Sequence, residues 1–282
     1  MTGSLGFATL VVVLLGAVPL VAVTLRRRSL ERRRLRFADR RGRIPIPLRP
    51  VTALDPVFLP GPLGPDRNTT EVMFLGGGAI LVPGSTSDYE AWILAVLSRR
   101  ARRMFEFGTC TGRTAYMWAR NSPADAVVTT LTLGPQQHDR YSLTGDDRAI
   151  DQRLALDESA FDSFLYQGTE VEHKIEQLAT DSKEFDERPY LGLMDLIFID
   201  GSHAYSYVMS DSRKALRMIK PGGLILWHDY EGPLAGRGTD LALAELSREL
   251  ELSHIDQTRM VWYRAPRTQA AAGEPSTGDS DR

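Results

Sequence analysis

Apolar positions along the central part of the chain follow two alternating periods. Short continuous runs predict buried strands: MFEF (Met104–Phe107), AVVTTLTL (Ala126–Leu133), LIFI inside MDLIFIDG (Met194–Gly201) and LILW inside GLILWHD (Gly223–Asp229). HKIEQLATD (His173–Asp181) predicts a weaker strand, and RMVWYR (Arg259–Arg264) a last one. Between them the period lengthens to that of a helix. Ser87 and Glu90 form a capping box ahead of a face made by Tyr89, Trp92, Ile93, Val96 and Leu97. Further helices are predicted after the turn GTCTG (Gly108–Gly112), within Asp147–Leu165, over Tyr205–Ile219 with Pro221–Gly223 ending it, and over Leu241–Leu250. Strands alternating with helices imply an α/β domain: a doubly wound, mostly parallel sheet with helices on both faces. Ligands bind such sheets outside the carboxyl ends of the strands. Glu106, Asp200, His228 and Asp229 fall at or near that edge.

The two ends of the chain break this pattern. Leu5–Leu25 is apolar and uncharged, long enough at a helical rise to cross roughly 30 Å of hydrocarbon. Nothing basic precedes it, unlike a secretory signal peptide, and arginines from Arg26 to Arg43 follow it. The expectation is a single membrane span with the large domain on the cytoplasmic side. Residues 1–25 then form the anchor and residues 26–84 a basic juxtamembrane segment and Pro/Gly-rich linker. Residues 85–264 form the folded domain and 265–282 a disordered tail.

Composition adds bounds. Hydrophobic residues make up 43% and charged residues 25%, ordinary for a globular domain of this size. A net charge of −2 argues against a general nucleic-acid binder. The single cysteine, Cys110, excludes an intrachain disulfide.

The candidate chemistry lies at the strand ends. In EFGTCTGRTA (Glu106–Ala115), Gly108 and Gly112 flank a strand-to-helix turn where backbone could approach a ligand closely. The spacing is neither the dinucleotide fingerprint nor a P-loop, since no Gly-Lys-Ser/Thr follows. No nucleophile elbow is present. The E-x-G-x-x-x-G pattern resembles motif I of class I S-adenosylmethionine-dependent methyltransferases. FIDGSHAYSYVMSDSRKALRMIKPGGLILWHDY (Phe198–Tyr230) resembles the fourth-to-fifth-strand block of that family, in the branch of macrolide O-methyltransferases and cephalosporin-biosynthesis methyltransferase-like proteins.

The resemblance covers roughly residues 85–264 and implies the Rossmann-like class I methyltransferase fold, with S-adenosylmethionine as cofactor. It implies cofactor contacts from Glu106, Gly108, Thr109, Gly112, Thr132, Asp181, Ser182 and Asp200. It places a divalent cation, magnesium or manganese, on Asp200, His228 and Asp229. Magnesium prefers all-oxygen sites, and the imidazole at position 228 suits manganese, iron or zinc better. Asp200 and His203 become the catalytic candidates, with His203 as general base or merely a cap on the following helix. The acceptor implied is a small or lipid-like molecule carrying an oxygen. One position departs from the family: Thr132 stands where an acid usually binds the cofactor ribose. A hydroxyl makes fewer and weaker contacts than a carboxylate there. This leaves open an alternative, a catalytically degenerate scaffold held at the membrane. The sequence does not indicate an oligomeric state.

Overall fold

The computed structural model describes residues 46–78, 86–145 and 147–267. Its strands are β1 (Leu48–Arg49), β2 (Arg103–Phe107), β3 (Val127–Thr132), β4 (Ile175–Ala179), β5 (Met194–Ile199), β6 (Ile219–Trp227), β7 (Ser253–Ile255) and β8 (Val261–Arg264). They form one sheet in the order β1-β7-β8-β6-β5-β2-β3-β4. All pairings are parallel except those of β8, which runs antiparallel to β6 and β7. The main helices are α1 (Asp88–Ser98), α2 (Arg113–Asn121), α3 (Ala149–Glu158), α4 (Tyr205–Met218) and α5 (Gly238–Leu246).

The apolar runs are continuous because the sheet is covered on both faces. Along β5, Ile197 and Ile199 join one core with Val208 and Ala215 of α4 and Leu243 of α5. Leu196 and Phe198 point the other way, into a core with Ile93 and Leu94 of α1 and Trp118 of α2. Ile225 and Trp227 alternate with Leu224 and Leu226 in the same manner along β6.

Chain order reverses at the middle of the sheet. From β2 the chain steps outward through β3 and β4, then returns to β5 on the other side of β2. Such a reversal opens a crevice at the carboxyl ends of the two central strands. The strand ends are held level there by hydrogen bonds that continue past the assigned strands. Gly108 N–H donates to Leu131 O (2.8 Å), Asp200 N–H to Phe107 O (2.8 Å) and His228 N–H to Ile199 O (3.0 Å).

The helix expected to end at Pro221–Gly223 stops earlier, at Met218. Buried Ile219 already pairs with Met194, so β6 begins before the Pro-Gly-Gly, which sits at a register irregularity inside the strand. α5 likewise begins at Gly238 rather than Leu241, because the Asp240 carboxylate accepts from the N–H groups of Arg237, Glu231 and Gly232. Part of the Pro/Gly-rich lead-in packs against the domain. Leu48–Arg49 is an edge strand, and Leu54, Val57 and Phe58 are buried in the α1–α2 core. The Leu5–Leu25 segment, its arginine flank and residues 268–282 lie outside the described residues. Among the described residues, no helix is long and apolar enough to cross a membrane.

Candidate active site

Three hollows open at the crevice, and Asp200 lines all of them. The largest, about 580 Å³, is walled by Gly108, Thr132, Asp181, Ser182, Glu158 and Asp200 among others. A second, about 300 Å³, lies across the glycine turn and includes Glu106, Gly108, Thr109 and Asp200. The third, about 210 Å³, collects Asp200, His203, His228 and Asp229. Gly112 lines none of these three.

The two glycines have structural reasons different from simple closeness to a ligand. At Gly108, φ is +101° and an added Cβ would stand 2.1 Å from the carbonyl oxygen of Asp200. The turn after β2 therefore packs directly on the turn after β5, bringing two of the candidate segments together. At Gly112, φ is +76° and a Cβ would press on the Tyr166 ring at 2.8 Å. Between them Cys110 has φ +45°, and burial pushes its thiol up to about 12, so it is no thiolate nucleophile at neutral pH.

Beneath the turn runs a buried polar chain. Thr130 donates to Glu106 Oε2 (2.6 Å); Thr130 and Thr109 share a hydrogen bond (2.8 Å); Gln177 Nε2 donates to Thr109 (3.1 Å), and Tyr166 to Gln177 (2.6 Å). The Thr109 side chain is thus spent on the sheet. Burial, reinforced by the Asp200 charge, raises Glu106 to about 8 against the pull of Thr130 and Thr114. An unfolded carboxyl ionises from about 4.5 upward. The folded protein retains this proton, so stability contributed by protonated Glu106 is complete below about 4.5 and is lost as pH rises towards 8. Glu106→Gln is accordingly expected to melt higher than the parent protein at pH 8, with the gap closing near pH 4.5. Equal melting temperatures across that range would contradict a neutral Glu106.

At the far side of the crevice, charges converge. His203 Nε2 lies 2.6 Å from Asp229 Oδ2 and 4.0 Å from Glu158 Oε2. His228 Nδ1 lies 3.0 Å from Asp200 Oδ1 and 3.4 Å from Asp229 Oδ1, while its Nε2 faces Glu90 Oε2 at 3.3 Å. The Arg259 guanidinium pairs with Asp229. Asp229 reaches these partners from a left-handed backbone, φ +63°, which a non-glycine residue adopts at a cost of about 1–3 kcal/mol. Burial lowers the His228 pKa, but Asp200 and Glu90 outweigh it and raise it to about 9. Burial raises Glu158 to about 7, with Asp200 adding to that and His203 opposing it.

One atom from each of Asp200, His228 and Asp229 lies within 4.8 Å of the others, so these side chains could hold a divalent ion. The donor set, one imidazole nitrogen and two carboxylates, fits a first-row ion of the manganese type. A cation arriving there would displace the proton that His228 otherwise carries.

Of the sequence-derived candidates, Gly108, Thr132, Asp181, Ser182 and Asp200 share the largest hollow. Asp181 is turned inward, accepting from Tyr207 Oη (2.8 Å) and Lys183 N–H (2.8 Å). Sequence reasoning missed Glu158 and Arg259, which belong to no motif, and saw Glu90 only as a cap. Tyr141, stacked on Tyr207 at 4.4 Å and bonded to Ser202 (2.5 Å), was also missed. Its only sequence signal was an aromatic residue in an otherwise featureless segment.

Residues 105–230 match a family model described as a methyltransferase domain. That segment spans the glycine turn, the acid ends of β5 and β6 and the helices between them. The segment thus carries a methyltransferase domain, in keeping with the resemblance of its glycine turn and its β5–β6 block to class I enzymes. The protein is an S-adenosylmethionine-dependent methyltransferase.

Several solved structures are similar. The O-methyltransferase TomG from Streptomyces achromogenes, involved in tomaymycin synthesis and solved with S-adenosylmethionine, is 17% identical; the match covers 64% of this chain and 82% of that one, with a TM-score of 0.43. An O-methyltransferase from Bacillus cereus, in complex with S-adenosylhomocysteine, is 18% identical over 67% of this chain and 86% of its own, with a TM-score of 0.42. The methyltransferase PaMTH1 of Podospora anserina, bound to S-adenosylhomocysteine, is 15% identical over 65% and 80%, with a TM-score of 0.47. No curated protein matches the chain by sequence.

Proposed function

We propose that this methyltransferase methylates an oxygen on a small or lipid-like acceptor, working from a membrane to which its N-terminal apolar segment tethers it. The observation that carries the reading is the meeting of His203 and Asp229, 2.6 Å apart, beside Asp200, the residue common to all three hollows. S-adenosylmethionine supplies a methyl group on a positively charged sulfur. An acceptor hydroxyl must shed its proton for the oxygen to attack. Asp229 holds His203 through Nε2 and stabilises the charge that forms when the ring takes that proton. Glu158, 4.0 Å from the same nitrogen, adds negative charge on the side of the largest hollow. Gly108, Thr132, Asp181 and Ser182 shape the donor cleft, where Thr132 offers a hydroxyl in place of a carboxylate. A divalent cation on Asp200, His228 and Asp229 would lower the pKa of an acceptor oxygen and orient it.

Calorimetric titration of the whole chain with S-adenosylmethionine, with and without manganese, tests the donor site. A measurable heat of binding is expected. No heat at millimolar donor would remove the reading of the cleft. For the tether, the whole chain should sediment with membranes, and a chain lacking residues 1–25 should stay in the supernatant. Equal partition of both forms would remove the anchor.

A further inference from the structure

The carboxylate of Glu90 is buried and touches three elements that are far apart in the chain. Its Oε2 accepts from Ser87 N–H (2.9 Å) and Ser87 Oγ (2.7 Å), closing the cap of α1. Its Oε1 accepts from the backbone N–H of Arg259 (2.6 Å), just before β8. Oε2 also stands 3.3 Å from His228 Nε2, at the end of β6. None of these contacts faces the donor cleft, whose walls do not include Glu90.

We infer that Glu90 is the positioning residue of the site: it holds His228 by Nε2, so that Nδ1 faces Asp200 and Asp229. An imidazole has two nitrogens, and an acceptor at one determines which is presented at the other. The acceptor here is a carboxylate, and its remaining bonds leave it little freedom to turn. Through Oε1 the same group anchors the backbone of Arg259, whose guanidinium pairs with Asp229. One buried acid on the first helix thus sets two of the partners that surround Asp229. Glutamine cannot replace it. An amide has one acceptor oxygen, and its NH2 would oppose either the Arg259 N–H or the Ser87 and His228 donors. Aspartate is one methylene too short to keep all three contacts.

The inference rests on the proposed cation-assisted reading, and the experiment separates the two. Manganese affinity of the whole chain is measured by calorimetry for the parent protein, Glu90→Gln, His228→Asp and the double variant. Far-ultraviolet dichroism and S-adenosylmethionine affinity serve as controls for folding. Glu90→Gln is expected to weaken manganese binding roughly 10- to 100-fold while donor affinity changes little. In the His228→Asp background, where no imidazole needs orienting, the same substitution should cost less than about threefold. An equal loss in both backgrounds would make Glu90 merely structural, and no loss in a folded Glu90→Gln would also overturn the inference. Should the parent protein bind no manganese, the cation reading falls, and the positioning claim is read from nitrogen-15 spectra instead. A hydrogen-bonded Nε2–H of His228 that disappears in Glu90→Gln supports it; an unchanged resonance overturns it.

Discussion

His203→Ala is expected to lower kcat by about 10²- to 10⁴-fold, the usual contribution of a positioned general base. Affinity for S-adenosylmethionine should stay within a few-fold of the parent, because His203 does not line the largest hollow. The side chain is mostly enclosed, with Asp229 at 2.6 Å, so removing it leaves a space near an oriented carboxylate. Added imidazole should therefore restore part of the activity. Steady-state kinetics with saturating donor, once an acceptor is in hand, checks the first claim; a rescue series checks the second. An alanine variant with full kcat would reduce His203 to a structural partner of Asp229 and shift the proton-accepting role to another group at the rim, Glu158 first among them.

The second large effect is on stability. Gly108→Ala places a methyl group 2.1 Å from the Asp200 carbonyl oxygen at a backbone φ of +101°. The left-handed conformation costs an alanine roughly 1–2 kcal/mol. Forcing two packed turns apart costs about 1–3 kcal/mol more. Together they predict a fall in melting temperature on the order of 5–15 °C for a domain of this size. Donor affinity should fall with it, since the turn forms the boundary between two hollows that meet at Asp200. Gly168→Ala provides the control: φ is +73°, but nothing lies within 4 Å of the new Cβ. It should show the backbone cost alone. If the two variants melt together, the contact with Asp200 carries no weight, and close packing of the two turns is not what requires glycine at position 108. Both variants are measured by thermal unfolding, and donor binding by calorimetry at a temperature where each is folded.

The alternating periods were enough to locate the central strands, because each apolar run answers to burial on both faces of one sheet. The capping box at Ser87 and Glu90 was legible for the same local reason: its partners are three residues apart. So was the gathering of Asp200, His228 and Asp229, since each acid or imidazole directly follows an apolar strand. Edge pieces such as Leu48–Arg49 and Ser253–Ile255 were not legible, being too short to display a period. The reason for Gly108 was hidden too, because its neighbour Asp200 arrives only when β5 is laid beside β2.

What the chain determined by itself was therefore the order of strands and helices and the residues that end the central strands. Those features depend on contacts between near neighbours and on the preference of apolar runs for the interior. The tertiary structure alone decided which distant groups complete the site. Glu90 meets His228 across 138 residues and Arg259 across 169, and no local pattern encodes a pairing at that separation. It exists because α1, the end of β6 and the approach to β8 pack at one corner of the sheet, where a buried carboxylate must find donors.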